Sequence, residues 1–226
     1  MMSGSGACTL TASQAGNSDY PPAPNVVQYV IASKASSATA ISSVSPNPSI
    51  ATQLVKISFA VTANGTATGN VMVTASTGEY CSAAIAAGNC SIQFNTAVNR
   101  TMTASYSGDA FFSASTSAAA NQSVRDFAIS ATPSTVTISS GKAASYTLTV
   151  RPLNGMTGQV VLSCSGAPTG SICSISPSTI AVTGTAKATV TLSASKRSRH
   201  GTTFPLTFRA TTGRISHAAG VSLTVK

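Results

Sequence analysis

The sequence of 226 residues has no tryptophan, four acidic side chains, two histidines and only 8% charged residues, where about 25% is usual in a soluble domain. Each shortage excludes something. The acids Asp19, Glu79, Asp109 and Asp126 are too scattered to supply the paired carboxylates of glycoside hydrolysis. No Gly-x-Ser-x-Gly elbow accompanies His200 and His217, which argues against a serine hydrolase. With no tryptophan, and with Tyr20, Tyr29 and Tyr80 not forming a row, the flat aromatic platform of a carbohydrate-binding module is missing. The longest apolar run, Ala83 to Ala87, falls far short of the roughly 18–20 residues that cross a bilayer, so no membrane span is expected. The first residues lack the basic and apolar regions of a secretory signal. The expectation is a protein that is not an enzyme and needs no cofactor.

What fills the sequence instead is small and hydroxylated, with 37 serines and 31 threonines that can face water without charge. Hydrophobic residues make up 42%, enough for a core, while the strong helix formers Glu, Lys, Leu and Gln are sparse. Apolar residues recur at every second position: Val55, Ile57, Phe59, Val61; Met102, Ala104, Tyr106; Tyr146, Leu148, Val150; Ala188, Val190, Leu192; Phe204, Leu206, Phe208; Val221, Leu223, Val225. That is the signature of strands with one face buried and one wet. Turn signals such as Asn64-Gly65, Gly108-Asp109, Asn154-Gly155 and Gly213 separate them. An all-β protein follows, built of antiparallel β-sandwiches of about seven strands each.

Two internal echoes divide the chain. Cys81-Ser-Ala-Ala followed by Cys90-Ser-Ile has the same nine-residue step as Cys164-Ser-Gly-Ala followed by Cys173-Ser-Ile. Thr9-Leu-Thr-Ala-Ser13 with Gly16-Asn17 likewise matches Thr101-Met-Thr-Ala-Ser105 with Gly108-Asp109, at an offset of 92 residues. In the later copy that stretch closes a sandwich. Residues 1–33 therefore read as the C-terminal strands of a truncated domain, followed by sandwiches at 34–125 and 126–226. Short connections, Ser33 to Ser37 and Ser123 to Asp126, imply a semi-rigid row.

Ser45-Pro-Asn-Pro-Ser49, the run Val55 to Val61, and Tyr106-Ser-Gly-Asp109-Ala-Phe-Phe112 together resemble the bacterial immunoglobulin-like repeats found in tandem in large surface and secreted proteins. Residues 126–226 are similar to a related module, through Asp126-Phe127, Pro133-Ser134, Tyr146 to Val150 and the Cys164–Cys173 stretch. The segment from Gly6 to Tyr20 is similar to the end of another such repeat. The resemblance implies tandem immunoglobulin-like sandwiches in an exported, multidomain setting, extracellular or at the cell surface. It carries over no active-site residues.

The repeated spacing of Cys81 with Cys90 and of Cys164 with Cys173 suits two disulfides, which persist only in oxidising compartments. Zinc is the competing reading, but its sites favour closer cysteine spacing with histidine nearby. Cys8 is left over, with a partner expected upstream or a free or intermolecular thiol as the alternatives.

Charge is uneven. Residues 126–226 hold nine of the 13 basic side chains and one acid. Lys196, Arg197, Arg199 and His200 cluster there as a possible polyanion-binding patch, set against a plain solvated loop. No nucleic-acid motif or stacking aromatic accompanies it, so nucleic acid is not an expected partner. Asp109 is expected to cap backbone NH groups rather than bind Ca²⁺, Tyr106 to anchor its hydroxyl on backbone, and His217 to be an ordinary exposed or half-packed side chain. The function expected is a non-catalytic spacer whose partners are other domains of the same parent chain. The alternatives are an adhesion module that holds cell-envelope polysaccharide, or an accessory domain of a secreted enzyme.

Overall fold

The computed structural model describes residues 4–195 and 201–226. Strands are numbered in chain order. The chain divides into two compact units: Met1–Ser45, Lys56–Ile92 and Arg100–Asn121 form the first, and Pro46–Val55, Gln93–Asn99 and Gln122–Lys226 form the second.

The first unit opens with an antiparallel hairpin, β1 (Gly6–Gln14) with β2 (Ala23–Ala32), whose residues are all exposed. Two facing sheets follow. One is β3 (Ser37–Ser45), β5 (Leu54–Ala63) and β8 (Asn89–Gln93), and the other runs β10 (Ser115–Thr116), β9 (Arg100–Tyr106), β6 (Asn70–Ala75), β7 (Tyr80–Ala84), with β11 (Ala120–Gln122) also on β9. The period-two residues Ile57, Phe59, Val71, Val73, Ile92, Met102, Ala104 and Tyr106 are buried between them. Their alternation is what makes these segments strands: turning every second side chain inward excludes the apolar half from water and leaves hydroxyls outside.

The second unit is a fuller sandwich. One sheet runs β16 (Ile172–Ser176), β18 (Ala186–Ser193), β14 (Ala143–Leu153), β12 (Val124–Thr132), β4 (Ser49–Ile50), and the other runs β13 (Thr135–Ile138), β20 (Ile215–Val225), β19 (Thr202–Thr212), β15 (Gln159–Ser165), β17 (Thr179–Ala181). Tyr146, Leu148, Val150, Val160, Val190, Leu192, Leu206, Phe208, Leu223 and Val225 fill it, with the Tyr146 and Phe208 rings 5.4 Å apart. Two edges depart from the antiparallel rule expected of the sequence: β13 lies parallel to β20 and β4 parallel to β12. Both are short edge strands that arrive by non-hairpin connections, which leaves their direction free. The segment expected to be a connection, Ser123 to Asp126, is mostly strand, because Val124 and Arg125 already pair with Ser49 and Ile50, and Asp126 with Leu153. Buried Gln122 fixes that start by donating from Nε2 to Pro46 O, Ser49 Oγ and Ser123 O.

Each unit has its own disulfide. Cys81 of β7 is joined to Cys90 of β8, and Cys164 of β15 to Cys173 of β16. In both cases the bond links a strand of one sheet to a strand of the facing sheet. The nine-residue step in sequence is thus the chain length needed to leave one sheet, turn, and enter the other.

Candidate functional site

Lys196, Arg197, Arg199 and His200 lie outside the described residues. The described basic side chains that follow them in sequence are Arg209 on β19 and Arg214 in the turn between β19 and β20. Arg209 Nη1 donates to Ser216 Oγ at 3.0 Å across that hairpin. Arg214 is exposed and makes no ion pair among the described residues.

Arg214 instead edges an open cavity of about 300 Å³, lined with it by Thr52, Gln53, Leu54 and Gln93, all of the second unit. Two carboxamides, a hydroxyl, a guanidinium and one isobutyl group can hydrogen-bond a polar, oxygen-rich ligand and shelter one apolar edge. Thr52 is held at φ +65°, a left-handed conformation that costs a β-branched residue on the order of 1–3 kcal/mol. Its amide donates to Phe94 O at 2.8 Å, which helps hold that turn. Neither the cavity nor the strain was visible in the sequence, since Thr52, Gln93 and Arg214 are far apart along the chain.

A second cluster joins β12 to β20. His217 Nε2 lies 2.7 Å from Asp126 Oδ1, and the Asp126 carboxylate also accepts the Phe127 amide at 2.7 Å. The Phe127 ring meets the His217 ring edge-on, centroids 4.9 Å apart. Asp126 is buried at 5% exposure. His217 is half-packed, as expected, and it also partners the one acid of its unit, 91 residues away. Among the described residues no group of three or more His, Cys, Asp or Glu is placed to hold a metal ion.

Asp109 caps backbone in the first unit. Its Oδ1 accepts the amides of Phe111 and Phe112, both at 2.8 Å, and its Oδ2 accepts the Thr68 amide at 2.8 Å and the Thr68 hydroxyl at 3.0 Å. These donors, the Thr68 amide foremost, hold the carboxyl far below the usual carboxylate range. Tyr106 donates its hydroxyl to Thr68 O at 3.0 Å, and Tyr146 donates to Ser222 O at 3.0 Å. Both phenols are pushed up from their ordinary value, first by burial.

Residues 41–125 match the family model described as "Bacterial Ig-like domain (group 3)". That stretch is similar to this family over somewhat more than a third of the chain. The matched residues run from within β3 through β11 to the first two residues of β12. No curated protein matches the chain significantly. Among solved structures it is similar to the D00-D0 domain of Intimin, at 16% identity and TM-score 0.39, covering 83% of this chain and 99% of that one. It is also similar to the C-terminal domain of the Streptococcus agalactiae AgI/II polypeptide BspA, at 7% identity and TM-score 0.46, with coverages of 83% and 99%. A third similarity is to domains 4 and 5 of the S-layer protein SbsC, at 15% identity and TM-score 0.35, covering 59% and 68%.

Proposed function

We propose that the chain is a non-catalytic, load-bearing part of an extracellular or cell-surface bacterial protein, with Ig-like sandwiches at 34–125 and 126–226 that space other domains of the same parent chain. The observation that carries this reading is that each unit has a short disulfide loop clipping its two sheets together. Such bonds persist where thiols are oxidised, and they keep facing sheets from separating fully even when the sandwich is pulled. The hydroxyl-rich, weakly charged outer faces suit a surface that should bind little.

Non-reducing mass spectrometry of the protein exported to an oxidising compartment tests the reading. Peptides linked as Cys81–Cys90 and Cys164–Cys173 are expected; free thiols at all four positions would remove both the clip and the compartment.

A second reading is favoured by the charge of residues 126–226 and by the Arg214 cavity: adhesion to an anionic envelope polysaccharide. Binding of that kind falls steeply with salt. It should weaken with Lys196→Ala plus Arg197→Ala, or with Arg214→Ala if the cavity is the contact. Retention on a polyuronate column that ignores salt and all three substitutions leaves only the spacer.

A further inference from the structure

The hairpin β1–β2 is wholly exposed, yet it is built in detail like a strand pair whose inner face is covered. At the offset of 92 residues, the pairing of Gln14 with Ala23 coincides with that of Tyr106 with Ser115. The turns coincide atom by atom. Asn17 Oδ1 accepts the amides of Asp19 and Tyr20 at 3.0 and 2.9 Å, as Asp109 Oδ1 accepts those of Phe111 and Phe112 at 2.8 Å. The Asn17 amide donates to Tyr20 O at 2.9 Å, as the Asp109 amide donates to Phe112 O at 3.0 Å. Gly16 at φ +74° and Gly108 at φ +82° precede them, and at each an added Cβ would collide with the same carbonyl, that of Tyr20 at 2.6 Å and of Phe112 at 2.7 Å.

The correspondence says which face of β1 should be covered. In β9 the residues Arg100, Met102, Ala104 and Tyr106 point into the sandwich, and their counterparts in β1 are Cys8, Leu10, Ala12 and Gln14. Cross-strand partners share a face, so Val30, Gln28 and Val26, paired with Cys8, Leu10 and Ala12, join it. Leu10, Val26 and Val30 are 56%, 66% and 46% exposed, a patch of the kind that marks an interaction surface. The other face repeats the outer hydroxyls of β9, with Thr9, Thr11 and Ser13 for Thr101, Thr103 and Ser105, and also carries Val27, Tyr29 and Ile31 of β2. β9 is further bonded along its other edge to β6, Val73 opposite Ala104, and the equivalent edge of β1 has no strand beside it among the described residues.

We infer that β1–β2 is a docking surface for the complementary strands of a third immunoglobulin-like sandwich. One strand adds to the free edge of β1 as β6 does to β9, and an apolar sheet of the β3–β5–β8 kind covers Cys8, Leu10, Ala12, Val26 and Val30. The occupant is a polypeptide segment joined ahead of β1, in the order in which β3 to β8 precede β9. The internal copy favours this over a second molecule of the chain, because it specifies both an edge strand and a covering sheet. The inference is independent of the spacer reading, since a complete sandwich there could serve any of the proposed roles.

The test uses the protein's own strands. Residues 35–99 are grafted ahead of Cys8 in the full chain, in one version with Cys8 kept and in a second with Cys8→Arg, which restores the residue found at position 100. In the ungrafted chain the hairpin amides should exchange rapidly and the Cys8 thiol should react with a maleimide. In a grafted monomer the amides of Leu10, Ala12, Val26 and Val30 should exchange about 100-fold more slowly, as core strands do, with Cys8 becoming unreactive in the version that keeps it. Leu10→Asp in the grafted chain should abolish that protection. The inference is overturned if both grafts leave the hairpin as open as before. It is also overturned if light scattering shows the ungrafted chain to be a dimer that Leu10→Asp dissociates, since the covering face would then be a second copy.

Discussion

Asp109 and Asn17 do the same backbone work with different chemistry, and the difference is testable at one residue. The Asp109 carboxylate is held in its ionised form by the Thr68, Phe111 and Phe112 amides, so its folded-state pKa is depressed below the unfolded value. A depressed carboxyl contributes stability that is fully present above its unfolded pKa and fades as pH falls through the folded one. Thermal melts of the protein should therefore lose stability progressively below about pH 4. Asp109→Asn keeps the Oδ1 acceptor, as Asn17 shows, but places an NH₂ against the Thr68 amide. That variant should be less stable at pH 7 and show a flatter acid dependence; an unchanged slope would mean that other carboxyls dominate. Gly108→Ala is a second check. With φ +82° and a carbonyl oxygen 2.7 Å from the new methyl, it should cost on the order of 1–3 kcal/mol in denaturant unfolding. At this scale the sequence was partly legible. A Gly-Asp pair after an aromatic strand residue announces a capped turn, and Tyr106 before it announces a buried hydroxyl. The pairing of Asp126 with His217 was not legible, because each residue looks solitary in its own segment and only the closing of β12 against β20 puts them 2.7 Å apart.

At the scale of strands, the alternation of Val, Ile, Leu and Phe with Ser and Thr fixed where strands lie, since a period of two can bury its apolar half only in a sheet. Direction and partner were less legible. Nothing in Thr135–Ile138 or Ser49–Ile50 says that they lie parallel to β20 and β12, because a short edge strand takes whichever direction its connection delivers. The disulfides belong to this scale. Closing a loop of about ten residues contributes roughly 2–3 kcal/mol in the chain-entropy account. Cys164→Ser with Cys173→Ser should therefore lower the stability of the second unit by that amount in urea, with native-like far-UV circular dichroism at low denaturant. A loss near zero would mean that the clip is redundant with the core. Gln122→Ala should cost about 1–3 kcal/mol, since it removes a buried amide from the buried Ser49 hydroxyl and from two part-buried carbonyls around the start of β12.

For the whole molecule, the consequence is mechanical. Under force, each disulfide should hide the eight residues between its cysteines from extension, a step of nine along the chain in either sandwich. Single-molecule pulling should show unfolding steps that lengthen by about 30 Å per sandwich when the bonds are reduced. Steps indifferent to reductant would contradict the clip as a load-bearing device.

The sequence by itself determined the class of this protein. The period of two, the hydroxyl-rich outer faces, the repeated cysteine step and the bacterial Ig-like signature in residues 41–125 are all local along the chain. Only the tertiary structure decided what depends on residues distant in sequence: that each cysteine step crosses from sheet to sheet, that His217 answers Asp126, that Thr52 and Arg214 share a cavity, and that β1–β2 is exposed along its whole length. The physical reason is that burying an alternating apolar face against any suitable sheet yields nearly the same energy, so hydrophobic pattern selects the fold class. Which polar groups then meet is set by the register and direction of strands whose partners lie many residues away.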